Sequence, residues 1–252
     1  MNNISSMSEK YRLSKKRRKI RNIIFLVLFI VCSIWYCYGI GLFDSFISFD
    51  NQYNEAVLVG QSGKKIYNVE VNRLGNYRKE VKNIVKQLFP KGNKLSDLEK
   101  YQVLHDFVKE YISYDYKALM SGSKSISEAN DAKNCLRKQK GVCGGYAYMY
   151  RDLCKSAGLN CEVIIGQAYF QGKNRGHAWN GVRLDGKWYH VDVCWDDTGA
   201  PAYEFFLIGS DTMNTTTVTN RTWSSTQCSF NYKGVNRGEI KNNIEMNITV
   251  KE

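Results

Sequence analysis

Three residues of this chain could do covalent chemistry together: a cysteine before a helical segment, and a histidine and an aspartate on neighbouring strand-like runs. The cysteine is Cys143, in the stretch KGVCGGYAY at 140–148. The histidine is His177, in GHAWNGVRL, and the aspartate is Asp192, in KWYHVDVCWDD. Only the thiolate of a cysteine attacks, so a nucleophilic cysteine needs a partner that favours its ionised form. A histidine beside a carboxylate is such a partner, because the carboxylate fixes its tautomer and orientation and stabilises its imidazolium. A helix N-terminus also helps, since its unsatisfied N–H groups and dipole favour negative charge. Gly144 and Gly145 present no side chain, so a substrate backbone can come close. Taken singly, each residue has a blander meaning. Cys143 could be half of a disulfide or a small packed side chain, and His177 and Asp192 could share a purely structural hydrogen bond.

The elements around them decide whether these residues can meet. Asp185-Gly186 between two strand-like runs, 177–184 and 187–194, is a strong hairpin signal. A two-residue loop there sets Leu184 opposite Lys187, Trp179 opposite Asp192 and His177 opposite Cys194. Side chains alternate faces, so His177, Trp179, Gly181, His190, Asp192 and Cys194 share one face. His177 and Asp192 become diagonal neighbours, within reach of each other. Trp179 reads as a shield over that pair or as an ordinary packed aromatic. His190, opposite Gly181, and Trp188 read as structural. Residues 144–157 suit a helix that Gly158 ends, and 161–165 reads as a strand. Cys154 and Cys161 lie at that junction and are a candidate disulfide.

Upstream, residues 78–89 carry Val81, Ile84, Val85 and Leu88 on one helical face, stopped by Pro90 and Gly92. Ser96-Asp-Leu-Glu99 is a capping box opening a helix that runs to near Tyr114. His105 reads as a residue at the polar edge of that helix, and 122–133 as a polar loop. Helices followed by antiparallel strands indicate an α+β domain. No internal repeat, metal-finger spacing or phosphate-loop pattern is present.

The 252-residue chain has a net charge of +12, but eight basic residues against Glu9 put +7 of it in residues 1–22. The remainder is only mildly basic, which argues against a nucleic-acid partner. Residues 23–43 then run without a charge. At about 1.5 Å per residue they span roughly 31 Å, the thickness of a bilayer core. The expected organisation is a basic cytoplasmic tail (1–22), a transmembrane signal anchor (23–43), a connector with one strand (44–76) and a catalytic domain (77–252) outside the cytoplasm. A cleaved signal peptide would have a shorter apolar core and small residues at the cut. Cys32 and Cys37 read as membrane-helix residues. Six cysteines, at 135, 143, 154, 161, 194 and 228, fall in the outer part, where disulfides are allowed.

The segments GVCGGYAYMYRDLCKSAGLNCEVIIG and GHAWNGVRLDGKWYHVDVCWDD resemble the transglutaminase-like superfamily. Three blocks carry the resemblance: a cysteine among small residues at a helix start, His-Ala-Trp-Asn, and Val-Asp-x-x-Trp-Asp-Asp. The resemblance implies a papain-like core with helices packed on an antiparallel sheet. It implies Cys143 as nucleophile, His177 as general base and acid, and Asp192 as the orienting carboxylate. Gly144, Trp179 and Cys194 would shape the site or contact substrate. Cys194 stands where members commonly have threonine, and is either an inert substitute or a thiol able to lock Cys143. The calcium sites of animal transglutaminases are not apparent, and neither a metal nor a cofactor is expected. The implied activity is acyl transfer on glutamine-type or peptide amides through a thioester, on protein or peptide substrates at the outer cell surface. Hydrolysis of the same bond, or an inactive binding module, are the alternatives.

Overall fold

A computed structural model describes residues 65–91, 94–170, 173–198, 203–215, 221–223, 228 and 244–252. The tail and apolar stretch at 1–43 lie outside these. Among the described residues no helix is long and apolar enough to cross a membrane.

The chain enters as β1 (Lys65–Asn72), within the stretch expected to be a connector. Val69 and Val71 of β1 are buried in the main core. Helix α1 (Tyr77–Leu88) follows, capped by Asn76, and buries the expected face of Val81, Ile84, Val85 and Leu88. Helix α2 (Asp97–Tyr111) opens on the expected capping box. Ser96 Oγ accepts from Glu99 N–H at 3.3 Å, and Ser96 N–H donates to Glu99 Oε2 at 2.9 Å. It stops three residues before Tyr114, because 113–114 form β2 (Ser113–Tyr114).

After α3 (Tyr116–Met120), the region expected to be a polar loop is α4 (Ser123–Asn130). Only Ala129 of α4 is buried, so its sequence shows almost no apolar stripe to betray a helix. Helix α5 (Ala132–Lys138) and β3 (Lys140–Gly141), which pairs in parallel with β2, lead into α6 (Cys143–Ser156). Gly145, in the first turn of α6, lets the end of α4 and Cys135 close on that turn. A Cβ there would lie 2.3 Å from Cys135 Sγ and 2.6 Å from the Ala129 carbonyl oxygen. Because that oxygen is backbone and cannot swing aside, Gly145→Ala should destabilise the fold by about 1–3 kcal/mol. Urea unfolding measures this, and an unchanged midpoint would mean that α4 can shift freely.

The remaining strands are β4 (Cys161–Phe170), β5 (Lys173–Leu184) and β6 (Lys187–Val191). After α7 (Val193–Asp197) come β7 (Phe206–Ile208), α8 (Ser210–Thr215), β8 (Thr222–Trp223) and β9 (Ile244–Lys251). The sheet order is β7-β6-β5-β4-β8, antiparallel throughout. β9 pairs separately with β1, in parallel. The β5–β6 turn has Asp185 at φ 50° and Gly186 at φ 78°, the left-handed pair that a tight hairpin requires.

The expected register holds from Leu184↔Lys187 to Asn180↔Val191 and then ends. Asp192 does not pair with Trp179, nor Cys194 with His177. The chain leaves the sheet at Asp192, whose N–H donates to Phe205 O at 2.9 Å and whose carboxylate caps α7. One sheet face, with Val182, Leu184, Tyr189 and Val191, packs into the main core with α2 and α6. Trp179 and Ile164, paired across β5 and β4, anchor a second cluster with Phe205, Ile208 and Met213.

Candidate active site

Cys143 is the first residue of α6, and Val142 before it offers no side-chain cap. The first turn of any helix leaves its N–H groups without intrahelical partners. Here Gly144 N–H donates to Asn130 Oδ1 at 3.0 Å, while Cys143 N–H has no partner among the described residues. The Cys143 thiol meets His177 and the N–H of Ala178 from β5. Burial works against the thiolate, but the His177 hydrogen bond and charge and the Ala178 N–H outweigh it. The net result holds Cys143 below an ordinary thiol.

His177 Nε2 lies 2.7 Å from Asp192 Oδ2, which leaves Nδ1 as the ring nitrogen on the Cys143 side. Burial lowers the His177 proton affinity, yet the Asp192 charge and hydrogen bond, with Cys143, raise it to about 9. Asp192 is fully buried, and burial raises its pKa. His177 and Arg221 together reverse this and hold it at about 2. Asp192 Oδ1 accepts from Trp195 N–H at 3.2 Å, so the α7 cap orients the carboxylate towards the imidazole. The departure from the sheet thus preserves the His177–Asp192 meeting by a different route: a helix cap replaces a diagonal strand neighbour.

Trp179 covers His177 in near-parallel stacking, with centroids 5.8 Å apart, and Trp195 flanks the same ring at 5.3 Å. Trp179 Nε1–H donates to His190 Nδ1 at 3.0 Å. His190 must therefore carry its proton on Nε2, facing Ser210 Oγ at 3.1 Å. Burial and the nearby Arg221 charge hold His190 neutral, at about 3. It supports Trp179, in keeping with a structural reading. Gly144 leaves room for Asn130: a Cβ there would lie 2.2 Å from Asn130 Oδ1. Cys194 corrects the strand-based expectation. It sits on α7, buried in the main core as a free thiol, pushed well up by burial and the Asp192 charge. Cys154 and Cys161 come together, but as free thiols rather than as the candidate disulfide.

Three residues have no clear signal in the sequence. Arg221 Nη1 donates to Asp192 Oδ2 at 2.6 Å, and its guanidinium lies 4.2 Å from the Trp195 ring and 5.0 Å from Phe205. It follows Asp192 by 29 residues with no local pattern to mark it. Asn130 ends a helix whose existence the sequence hides. His105, expected at a polar edge, is buried between two carboxylates, with Nδ1 at 3.0 Å from Asp106 and Nε2 at 2.9 Å from Asp196. Burial opposes its charge, but the two carboxylates raise it to about 9. Burial pushes Asp196 up more than His105 pulls it down. Asp196 also accepts from Phe205 N–H at 2.9 Å, so this network ties α2 to α7. Its one advance sign was an adjacent aspartate.

Among the described residues no group of three or more His, Cys, Asp or Glu could hold a metal ion. The arrangement can form a thiolate–imidazolium pair, attack a carbonyl carbon and return a proton to a leaving group.

Residues 83–193 match the family model of the transglutaminase-like superfamily. Kyphoscoliosis peptidase of Mus musculus is 32% identical over 108 residues, which cover 40% of this chain and 16% of that protein. The Homo sapiens protein of the same name matches with the same figures. The matched stretch thus spans about one sixth of the length of these curated relatives. A solved TGase structure, 18% identical, aligns over 63% of this chain and 34% of its own, with a TM-score of 0.32. On the family match and the residues that carry it, residues 83–193 of this chain are similar to the transglutaminase-like superfamily.

Proposed function

We propose that the domain is a thiol enzyme that transfers acyl groups from amide substrates, held at the outer face of a membrane by residues 23–43. The observation that carries the reading is the continuous contact from the Cys143 thiol through His177 to Asp192, at an open helix N-terminus. Cys143 attacks an amide carbonyl, His177 protonates the departing amine, and a thioester remains on Cys143. An amine resolves it to a cross-link, and water resolves it to hydrolysis. Hydrolysis is the second reading, and the matching relatives named as peptidases favour peptide bonds as its target. Glutamine side chains and peptide bonds of proteins at the outer cell surface are the proposed substrates. The uncharged stretch with its basic flank supports the anchoring.

Alkylation of the full chain by iodoacetamide, read by peptide mapping across pH, tests the reading. Cys143 should label fast well below pH 9.0, the ordinary thiol value, and His177→Ala should slow it. An ordinary thiol profile in the wild type would sink the proposal. A glutamine peptide, with and without an added amine, then separates transfer from hydrolysis.

A further inference from the structure

We propose that Asn130 is a catalytic residue, its side-chain Nδ2 serving with the Cys143 backbone N–H as the two donors to the oxyanion formed during acyl transfer. The inference rests on the acyl-transfer reading above and names a member of the site which that reading leaves open.

The first observation is how the opening N–H groups of α6 are used. Asn130 Oδ1 takes Gly144 N–H at 3.0 Å, and Cys143 N–H stays open among the described residues. One donor is thus free beside the nucleophile, and an amide side chain is fixed next to it. The second is the chemistry of that amide. It has one oxygen acceptor and a nitrogen with two donors. Oδ1 is taken by Gly144 N–H, and Nδ2 has no acceptor among the described residues. Asn130 and Cys143 are both half-buried, while Ala129 and Gly144 are buried.

The third observation is the room made for it. Side-chain atoms of Asn130 occupy the space of a residue-144 Cβ, with Oδ1 at 2.2 Å and Cγ at 2.8 Å. Val142 N–H donates to Ala129 O at 3.0 Å and pins the end of α4 against the residue before the nucleophile. Accepting Gly144 N–H needs only an oxygen, so an amide brings more than that contact uses. Asparagine adds the donors.

The step balances without any further reactant. The Cys143 thiolate forms a C–S bond to the carbonyl carbon, and the π electrons move onto the oxygen. Cys143 N–H and Asn130 Nδ2–H bond that oxygen. Collapse restores the carbonyl, breaks the bond to the leaving group and passes the His177 proton to it. A donor already held in place stabilises the oxyanion without reorganising.

Two reagents on the full chain separate this role from capping. p-Nitrophenyl acetate acylates a thiol through an oxyanion, whereas iodoacetamide alkylates at saturated carbon and forms none. Asn130→Ala and Asn130→Ser are compared with wild type, the serine variant keeping a hydroxyl in place of the amide. Both variants should acetylate Cys143 about 10²-fold more slowly, the usual loss for one oxyanion donor, while their alkylation rates stay at the wild-type value. Equal falls in acetylation and alkylation, or no fall in acetylation, overturn the inference. A wild-type chain that forms no acetyl-Cys143 at all overturns the acyl-transfer reading, and this inference with it.

Discussion

Asp192→Ala should slow acylation of Cys143 by roughly 10⁴-fold, the loss known when a triad carboxylate ceases to fix its histidine. Asp192 here has more to do than hold His177. Its Oδ2 accepts from both His177 and Arg221, and its Oδ1 caps α7 through Trp195 N–H. Removing it leaves a buried guanidinium without its counter-charge, which should cost about 3–5 kcal/mol of stability. That cost has a pH signature. His177 is raised from 6.5 to about 9, so its share of the stability is full below pH 6.5 and fades as pH rises through about 9. Asp192 is lowered from 3.8 to about 2, so its share is full above pH 3.8 and fades as pH falls through about 2. The stability gap between wild type and variant should therefore be widest from pH 3.8 to 6.5. Burst kinetics with p-nitrophenyl acetate and urea unfolding at several pH values give both readings. A variant within tenfold of wild type in acylation would remove Asp192 from the site.

Arg221→Met should separate positioning from charge. Methionine can fill the space beside Trp195 and Phe205 but carries no charge. His177 stays as a partner for Asp192, so the stability loss should lie near the lower end for a broken buried pair, about 3 kcal/mol. The kinetic consequence is a shift rather than a collapse. Arg221 and His177 compete for the same oxygen of Asp192, so losing Arg221 leaves the carboxylate wholly to His177. The His177 pKa should then rise above its value of about 9. The alkaline limb of acyl transfer, where the imidazolium is lost, should move to higher pH. A limb moving to lower pH, or a stability equal to wild type, would show that Arg221 does not act on this pair.

The parts legible in the sequence are those set by local chemistry. Asp185-Gly186 determines its own turn and therefore the β5–β6 register through Asn180↔Val191. Ser96 and Glu99 announce a helix start because both capping bonds lie within one turn. What stayed hidden depends on distant atoms. Val-Asp-Val-Cys continues the strand pattern into Asp192, but the carbonyl of Phe205 draws the Asp192 N–H out of the sheet. An alternating pattern cannot show this, because the competing partner lies well along the chain. α4 is not legible because a helix burying only Ala129 carries little periodic signal, and Asn130 is hidden with it. Arg221 sits in a polar stretch where an arginine ordinarily faces water. Its burial follows only from Asp192 and the aromatic rings around it.

The pairing of β1 with β9 bears on how the domain would respond to force. The two strands run parallel, with Lys65 beside Ile244 and Asn72 beside Lys251. Opposed pulls on Lys65 and Lys251 therefore act along the ladder from its two far ends. Such a load shears all its hydrogen bonds together instead of opening them one at a time. Resistance to forced unfolding is governed by the rate of crossing the unfolding barrier, not by equilibrium stability. A domain held at Lys65 and pulled through Lys251 would meet that strain with the whole ladder at once.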